Sequence, residues 1–211
     1  MNRKFKALGL ALVAALTLIA VMASTASAQF TSSSNHTVVS GSQKAGTNVI
    51  FSAGEGFGGV TCENVTVSGT ATNTSEATAV GQPTALNCKD SFGRTVDVDN
   101  SKLTYTLTSG AGKGTAHISG GGTLTVTSGG SVICTVVIKS PQTNNGISYT
   151  NLGGTSGVET TIHATNVIST TSGGFFNCGV SNGEHKSGTV NGTVVATGKD
   201  TAGSAVTMSV D

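Results

Sequence analysis

The sequence predicts an all-β fold, either an immunoglobulin-like or related antiparallel sandwich or an open barrel, with two disulfides. Three observations lead to this fold class. Apolar and polar residues alternate with a period of two over most of the chain after residue 28, as in half-buried strands. Gly-rich turn signals separate these runs, and four cysteines make an even set for disulfide bonding.

The first 28 residues are typical of a secretory signal peptide. Three basic residues stand near the start, an apolar run covers residues 7–23, and the small residues 26–28 precede Gln29 as a cleavage site. We therefore expect an exported protein that is secreted or held at the cell surface.

After removal of residues 1–28, two regions of the chain remain. The polar segment 29–46 is predicted to be a flexible N-terminal arm, and residues 47–211 a single β-sandwich domain. Removal takes three of the 11 basic residues and none of the 10 acidic ones, so the formal net charge changes from +1 to −2. A slightly acidic chain without a basic run is not expected to bind nucleic acid. No second apolar stretch reaches the roughly 18 residues of a membrane span.

The alternation places the strands one after another along the chain. Half-buried strands with threonine-rich outer faces are predicted at 102–108, 123–127, 158–168 and 205–210. Residues 132–138 are apolar on both faces, which predicts a central strand covered on both sides. Between Cys62 and Val65 the alternation slips by one residue, which a bulge at Glu63-Asn64 would explain. Turns are predicted at 119–122, 128–130, 144–146, 172–174 and 182–183.

The four cysteines are read as disulfide partners because the chain is predicted to be exported. They are Cys62, Cys88, Cys134 and Cys178, and three pairings are open to them. We favour Cys62–Cys88 and Cys134–Cys178, since cysteines that are near in sequence close a loop more easily. Each bridge is expected to contribute roughly 3–4 kcal/mol through the unfolded state. A metal site is disfavoured because no two cysteines have C-x-x-C spacing.

Two short motifs resemble cofactor or catalytic sites but lack the surroundings that those sites need. Residues 54–59 match G-x-G-x-x-G, yet a strand rather than a helix is predicted to follow. Residues 179–183 match G-x-S-x-G around Ser181, but no helix is predicted to follow, and His185 precedes Asp200, unlike the order in α/β-hydrolases. We therefore assign no catalytic residue, no cofactor-binding residue and no cofactor.

The densest acidic cluster contains Asp97 and Asp99, with Asp90 nearby. These carboxylates could hold a weakly bound Ca²⁺ together with backbone carbonyls. A solvated strand end that discourages edge pairing is the favoured interpretation, so no metal ligand is assigned. The absence of Trp and the presence of only two Tyr disfavour a carbohydrate site. A minor alternative is that rows of outward-facing threonines form a flat hydroxyl array that binds ice or polysaccharide.

Four segments after residue 60 carry a shared pattern, namely 134–142, 147–151, 176–178 and 182–189. Through them, the part of the chain from residue 60 onward resembles a loosely defined group of secreted actinobacterial proteins. In that group a signal peptide precedes a Cys-bearing strand with an apolar-x-x-x-Gln ending, a Tyr-Thr/Asn strand, a later Cys and a closing hairpin. The resemblance implies an exported β protein and carries over no activity or catalytic residue.

These observations lead us to expect a non-enzymatic cell-envelope or extracellular protein. Its role would be binding or structural, toward an extracellular protein or a surface polymer. Two alternatives stay open. One is a secreted hydrolase with a site built from scattered residues, which a deep pocket with convergent histidines and carboxylates would favour. The other is a Ca²⁺-supported adhesion module centred on Asp97 and Asp99.

Overall fold

The computed structural model describes residues 29–54, 58–110 and 113–211. Residues 1–28, which include the predicted signal peptide, lie outside the described residues. The strands are β1 (Phe30–Ser32), β2 (Thr37–Gln43), β3 (Val49–Ser52), β4 (Val60–Ala71), β5 (Ser75–Glu76), β6 (Thr78–Asp90), β7 (Thr95–Asp99), β8 (Thr104–Gly110), β9 (Lys113–Ser119), β10 (Gly122–Ser128), β11 (Ser131–Ile138), β12 (Gln142–Asn151), β13 (Val158–Ser172), β14 (Gly183–Lys199), β15 (Ala205–Val206) and β16 (Met208–Val210). A short helix α1 (Phe175–Cys178) and a 3₁₀ turn (Gly154–Ser156) complete the described part. The predicted all-β class is confirmed, and every pairing is antiparallel.

The strand pairings form two closed circuits that share the long strands β4, β6, β13 and β14. The first circuit runs β4–β6–β8–β9–β12–β13–β14–β2 and returns to β4. The second runs β4–β6–β7–β10–β11–β13–β14–β3 and returns to β4. Each long strand therefore changes partner partway along its length. The side chains that point inward from both circuits form the core.

Two glutamine side chains fill the places where a neighbouring strand ends. Gln142 accepts a hydrogen bond from the Ile168 N–H at 2.9 Å and donates to the Ile168 carbonyl at 3.1 Å. At the end of β2, Gln43 accepts a hydrogen bond from the Val65 N–H at 3.2 Å. These amides satisfy backbone groups that no strand reaches. The Gln142 contact also gives a structural role to the glutamine of the apolar-x-x-x-Gln pattern.

The predicted flexible arm at 29–46 is wrong, because this segment contains β1 and β2. Strand β2 pairs with β14 on one edge and β4 on the other. Its sequence is polar, so its place depends on backbone hydrogen bonds rather than on apolar side chains. A Cβ at Gly41 would approach Val194 Cγ1 to 3.0 Å, so only a very small residue lets β2 fit against the interior.

The predicted slip in alternation occurs in β4, where Cys62 and Val65 are both buried while Glu63 and Asn64 are exposed. The pairing with β6 nevertheless continues in one register on both sides of the slip. Strand β6 contains Asn87 with a φ of 54°, a left-handed conformation that asparagine tolerates better than most residues. Both strands therefore change face together, and no extra residue is needed in β4.

Strand β11 was predicted to be covered on both faces, and this is wrong for its outer face. Cys134 and Val136 are fully buried, whereas Val132 is 62% exposed and Val137 is 39% exposed. The reason is that β11 is part of a closed wall, so only one of its two faces points into the core.

The favoured disulfide pairing is confirmed. Cys62 and Cys88 are directly opposite each other on β4 and β6, with Cα atoms 4.1 Å apart. Cys134 and Cys178 join β11 to α1, with Cα atoms 5.3 Å apart. Both bridges are buried in the core cluster of the second circuit.

A separate three-stranded sheet contains β1 with β16 on one side and β5 on the other. Its side chains Phe30, Met208 and Val210 pack against Tyr149 and Val158 of the first circuit. We call this sheet the cap. Within the described residues, no helix has the length and apolar character needed to cross a membrane.

Candidate functional site

The interior of the closed sheet contains a cavity of about 300 Å³. Strands of both circuits line it, and so does the cap. Most of the lining side chains are apolar and small or medium in size; examples are Val65, Ala85, Leu107, Ala116, Ile162 and Val194. Small-molecule sites begin at roughly this volume, and an apolar cavity of about half this size holds benzene. The cavity is therefore the first candidate for a functional site.

Small inward-facing residues leave this space unfilled. Six alanines line the cavity, namely Ala71, Ala79, Ala85, Ala116, Ala164 and Ala196. Glycine is also needed on the wall, since a Cβ at Gly81 would lie 2.6 Å from the Tyr105 hydroxyl oxygen. Only 4% of the residues are aromatic, so few side chains are large enough to fill the interior. The small inward-facing side chains and the low aromatic content together account for the cavity.

Asn144 has a buried polar atom without a partner among the described residues. Asn144 is 3% exposed, and it lines the cavity from β12. The Asn144 Nδ2 group donates a hydrogen bond to the Thr165 carbonyl at 3.3 Å. Its Oδ1 atom has no hydrogen-bond partner among the described residues. Buried polar atoms are nearly always paired, so this oxygen needs an explanation.

A bulge at Gly146 places Asn144 in the wall. Residues 144–146 were predicted to form a turn, which is wrong, because they lie inside β12. The register between β12 and β9 shifts between Asn145 and Ile147, and Gly146 has a φ of 90°. A side chain at Gly146 would overlap the His163 carbonyl, so glycine lets β12 bend closely against β13. The Asn-Asn-Gly signal thus marks a bulge rather than a hairpin end.

Tyr105 places a second polar group on the lining. Its hydroxyl lies beside Gly81 on β6. Burial, with a smaller effect of Tyr149, raises the pKa of the Tyr105 hydroxyl far above its usual range. The group therefore stays a neutral phenol. By contrast, the Tyr149 hydroxyl donates to the Thr108 carbonyl at 3.0 Å.

The cap contributes the one carboxylate found among the described lining residues, Glu76. Glu76 Oε1 accepts hydrogen bonds from the Thr72 N–H at 2.7 Å, the Thr72 hydroxyl at 2.9 Å and the Asn73 N–H at 3.0 Å. Partial burial tends to raise the pKa of Glu76, but the hydrogen bonds from Asn73 and Thr72 outweigh it and hold the pKa below its ordinary value. The Glu76 carboxylate is therefore hydrogen-bonded within the turn that precedes it.

The G-x-S-x-G segment does not form a catalytic triad. His185 Nε2 lies 2.9 Å from the carbonyl oxygen of Ser181 and 3.0 Å from the hydroxyl of Thr171. It therefore contacts the backbone of Ser181 rather than the hydroxyl. Asp200 lies in the turn after β14, where its Oδ1 accepts hydrogen bonds from the N–H groups of Ala202 and Ser204. These groups hold loops in place. The G-x-G-x-x-G segment falls partly outside the described residues, and β4 follows it.

The three carboxylates of the predicted acidic cluster lie in different surroundings. Asp90 is bound to Arg94, with 2.6 Å between Oδ2 and Nε, while Asp97 is exposed on β7. Asp99 accepts hydrogen bonds from Ser101, and these lower the pKa of its carboxyl. No group of three or more His, Cys, Asp or Glu side chains suited to a metal occurs among the described residues.

An exposed aromatic cluster lies at the β6–β7 turn and α1. Its members are Phe92, Phe175 and Phe176, which are 73%, 63% and 97% exposed. The Arg94 guanidinium stacks over the ring of Phe92 at 4.9 Å. It also donates to the Asn177 carbonyl at 2.7 Å while it pairs with Asp90. Arg94 thus holds the turn and α1 together.

Sequence reasoning missed both the cavity and Asn144. The available signals were the alanines at inward positions of alternating strands and the asparagine at an inward position of β12.

Comparisons with protein-family models, with curated proteins and with solved structures find no match to this chain.

Proposed function

We propose that this protein is exported and binds a small apolar molecule in its interior cavity without catalysing a reaction. The observation that carries the proposal is the volume of about 300 Å³ lined mainly by apolar side chains. Such space is energetically costly, because atoms around it lose dispersion contacts that a ligand would restore. Binding of an apolar molecule would therefore be favourable without any charged anchor.

Two features support an extracellular setting. The chain begins with a segment typical of a signal peptide, and all four cysteines are joined in buried disulfides. Disulfides persist mainly in oxidising compartments outside the cytoplasm. A carrier or receptor for a sparingly soluble molecule would be useful in that setting.

The composition of the lining favours binding over hydrolysis. A hydrolase needs a nucleophile or activated water, together with a base that reaches it. The described lining residues include no histidine, and their one carboxylate, Glu76, is engaged by Thr72 and Asn73. The histidine nearest to a serine motif, His185, contacts loop groups instead. These contacts support the non-enzymatic role.

Naphthalene is a suitable probe because the cavity has about twice the volume of one that holds benzene. The chain contains no Trp, so naphthalene fluorescence can be measured with little protein background. We expect saturable binding at one site. Ala116→Leu, which puts a larger side chain into the cavity, should weaken binding by about tenfold or more.

The matched control is Ala205→Leu, which makes the same change at an exposed position of β15. It should bind naphthalene as the unaltered protein does. Lack of saturable binding, or equal weakening by both substitutions, would contradict the proposal.

A further inference from the structure

We propose that the cavity is a long, narrow space along the axis of the closed sheet, and that its preferred ligand is an uncharged molecule with an unbranched alkyl chain of about 12 carbons. This inference rests on the proposed function, since it assigns the chemical class of molecule that enters the same cavity. It goes further by preferring an extended chain to a compact ring of the same carbon number.

The residues that line the cavity extend along the whole of β4. Val60 and Ala71 are the first and last residues of this strand, and both line the cavity. On β13 the lining residues begin at Val158 and continue to Val167. Because β4 and β13 each belong to both circuits, the space is not confined to one of them.

The length of this lining is much greater than the width of a compact cavity. The 11 steps from Val60 to Ala71 cover about 37 Å along an extended strand, and an inclination of about 40° to the axis of a closed sheet reduces this to about 28 Å. A residue at the end of the lining can lie about 6 Å beyond the space that it borders, so about 16 Å of free length remains. By comparison, a sphere of 300 Å³ is only about 8 Å across. The space is therefore long and narrow.

Length and volume indicate a ligand of the same size. An extended alkyl chain advances by about 1.3 Å per carbon, since its C–C bonds measure about 1.5 Å, and 16 Å therefore holds about 12 carbons. An apolar cavity of about half the present volume holds benzene, with six carbons, so the volume of 300 Å³ also corresponds to about 12 carbons. A compact ring system of that volume would leave part of the length empty.

The lining favours an uncharged ligand. The described lining residues include no lysine, arginine or histidine that could pair with an anion. The one carboxylate among them, Glu76, is hydrogen-bonded to Thr72 and Asn73. An ionised group that entered the cavity would lose its hydration without gaining a partner of opposite charge. A neutral chain, such as that of a long-chain alcohol, avoids this cost.

The test compares 1-dodecanol with cyclododecanol in the unaltered protein by isothermal titration calorimetry. Both molecules have 12 carbons and one hydroxyl, but the second is a compact ring. We expect 1-dodecanol to bind about tenfold more tightly, as expected if the ring loses the burial of about two methylene groups. Equal affinity, tighter binding of the ring, or binding of naphthalene but of neither alcohol would overturn the inference while leaving the proposed function intact. If none of the three binds, the proposed function fails as well.

Dodecanoate at pH 8 tests the preference for an uncharged molecule. It has the same chain as 1-dodecanol but carries a carboxylate, and we expect it to bind at least about tenfold more weakly. Equal affinity of dodecanoate and 1-dodecanol would overturn the assignment of an uncharged ligand.

Two alanine variants test the length of the space. Ala79 and Ala85 line the cavity from the same face of β6, and the six steps between them cover about 15 Å along the axis. Ala79→Leu and Ala85→Leu should each weaken binding of 1-dodecanol by about tenfold or more, because an extended ligand contacts both positions. Ala205→Leu, at an exposed position, should leave it unchanged. An effect of one cavity variant alone, or of neither, would overturn the proposal. The comparison of the two alcohols in the unaltered protein decides the matter even if a variant does not fold.

Discussion

Replacement of Ala116 by leucine is expected to stabilise the fold while it weakens ligand binding. Ala116 lies on β9, between Leu107 of β8 and Asn144 of β12, and lines the cavity with both. Because Ala116 lines the cavity, we expect the three further carbons of leucine to enter that space with little displacement of neighbours. Most core substitutions to larger residues destabilise proteins, which makes the opposite result diagnostic.

The size of the effect follows from burial. Three added carbons at ~0.8 kcal/mol each give about 2.4 kcal/mol of favourable burial, and imperfect fit offsets part of this. We therefore expect the free energy of unfolding to rise by about 1–2 kcal/mol. For a domain of this size the midpoint of thermal unfolding should rise by about 2–8 °C.

The assay is urea unfolding followed by circular dichroism, with the midpoint of thermal unfolding as a second measurement. Ala205→Leu is the control, because Ala205 is exposed and its substitution should change stability by less than about 0.5 kcal/mol. A loss of 1 kcal/mol or more in Ala116→Leu would refute the reasoning, since it would mean that the space beside Ala116 is already filled.

Three further predictions concern charged groups elsewhere in the fold. Arg94→Ala should lower the free energy of unfolding by about 2–3 kcal/mol in urea titrations, because it leaves the mostly buried Asp90 carboxylate without its cation; Arg94→Lys should recover part of this. An Arg94→Ala variant as stable as the unaltered protein would contradict the bridging role. Glu76→Gln should reduce stability at pH 7 and have no effect at pH values well below 4, as measured by urea unfolding at each pH. The pKa of Glu76 is lower in the folded state, so its contribution is present above the unfolded value of about 4.5 and is lost as the pH falls through the folded value. An equal loss at both pH values would assign the effect to shape instead of charge. Addition of millimolar Ca²⁺ should leave the unfolding midpoint unchanged, because Asp90 is bound to Arg94 and Asp99 to Ser101; a rise would revive the adhesion alternative.

The strands and the disulfide pairing were predictable because both depend on local patterns. Alternation places residues on two faces without knowledge of the partner strand, and cysteines 26 and 44 residues apart close short loops. The closure of the sheet was not predictable in this way. It depends on which distant strands pair, and the long strands β4, β6, β13 and β14 change partners along their length.

The failures share a physical origin. Strand β2 was missed because it is polar and is held by backbone bonds on two edges. The segment 144–146 was predicted to be a turn because Asn-Gly usually reverses the chain, whereas here Gly146 allows a bulge against the His163 carbonyl. That second error concealed the candidate site, because a turn would have placed Asn144 in solvent. In both cases tertiary pairing overrode a local preference.

The low aromatic content has a different meaning in the folded chain than it had in the sequence. In the sequence it disfavoured a sugar-binding site, because such sites usually have aromatic walls. In an ordinary sandwich, side chains from two sheets interdigitate and hold the sheets together. Here closed hydrogen-bond circuits and two disulfides hold the walls, so large side chains are not required to bring them together. Alanine and glycine can then occupy inward positions such as Ala116 and Gly81, and the space they leave is where we propose that the ligand binds.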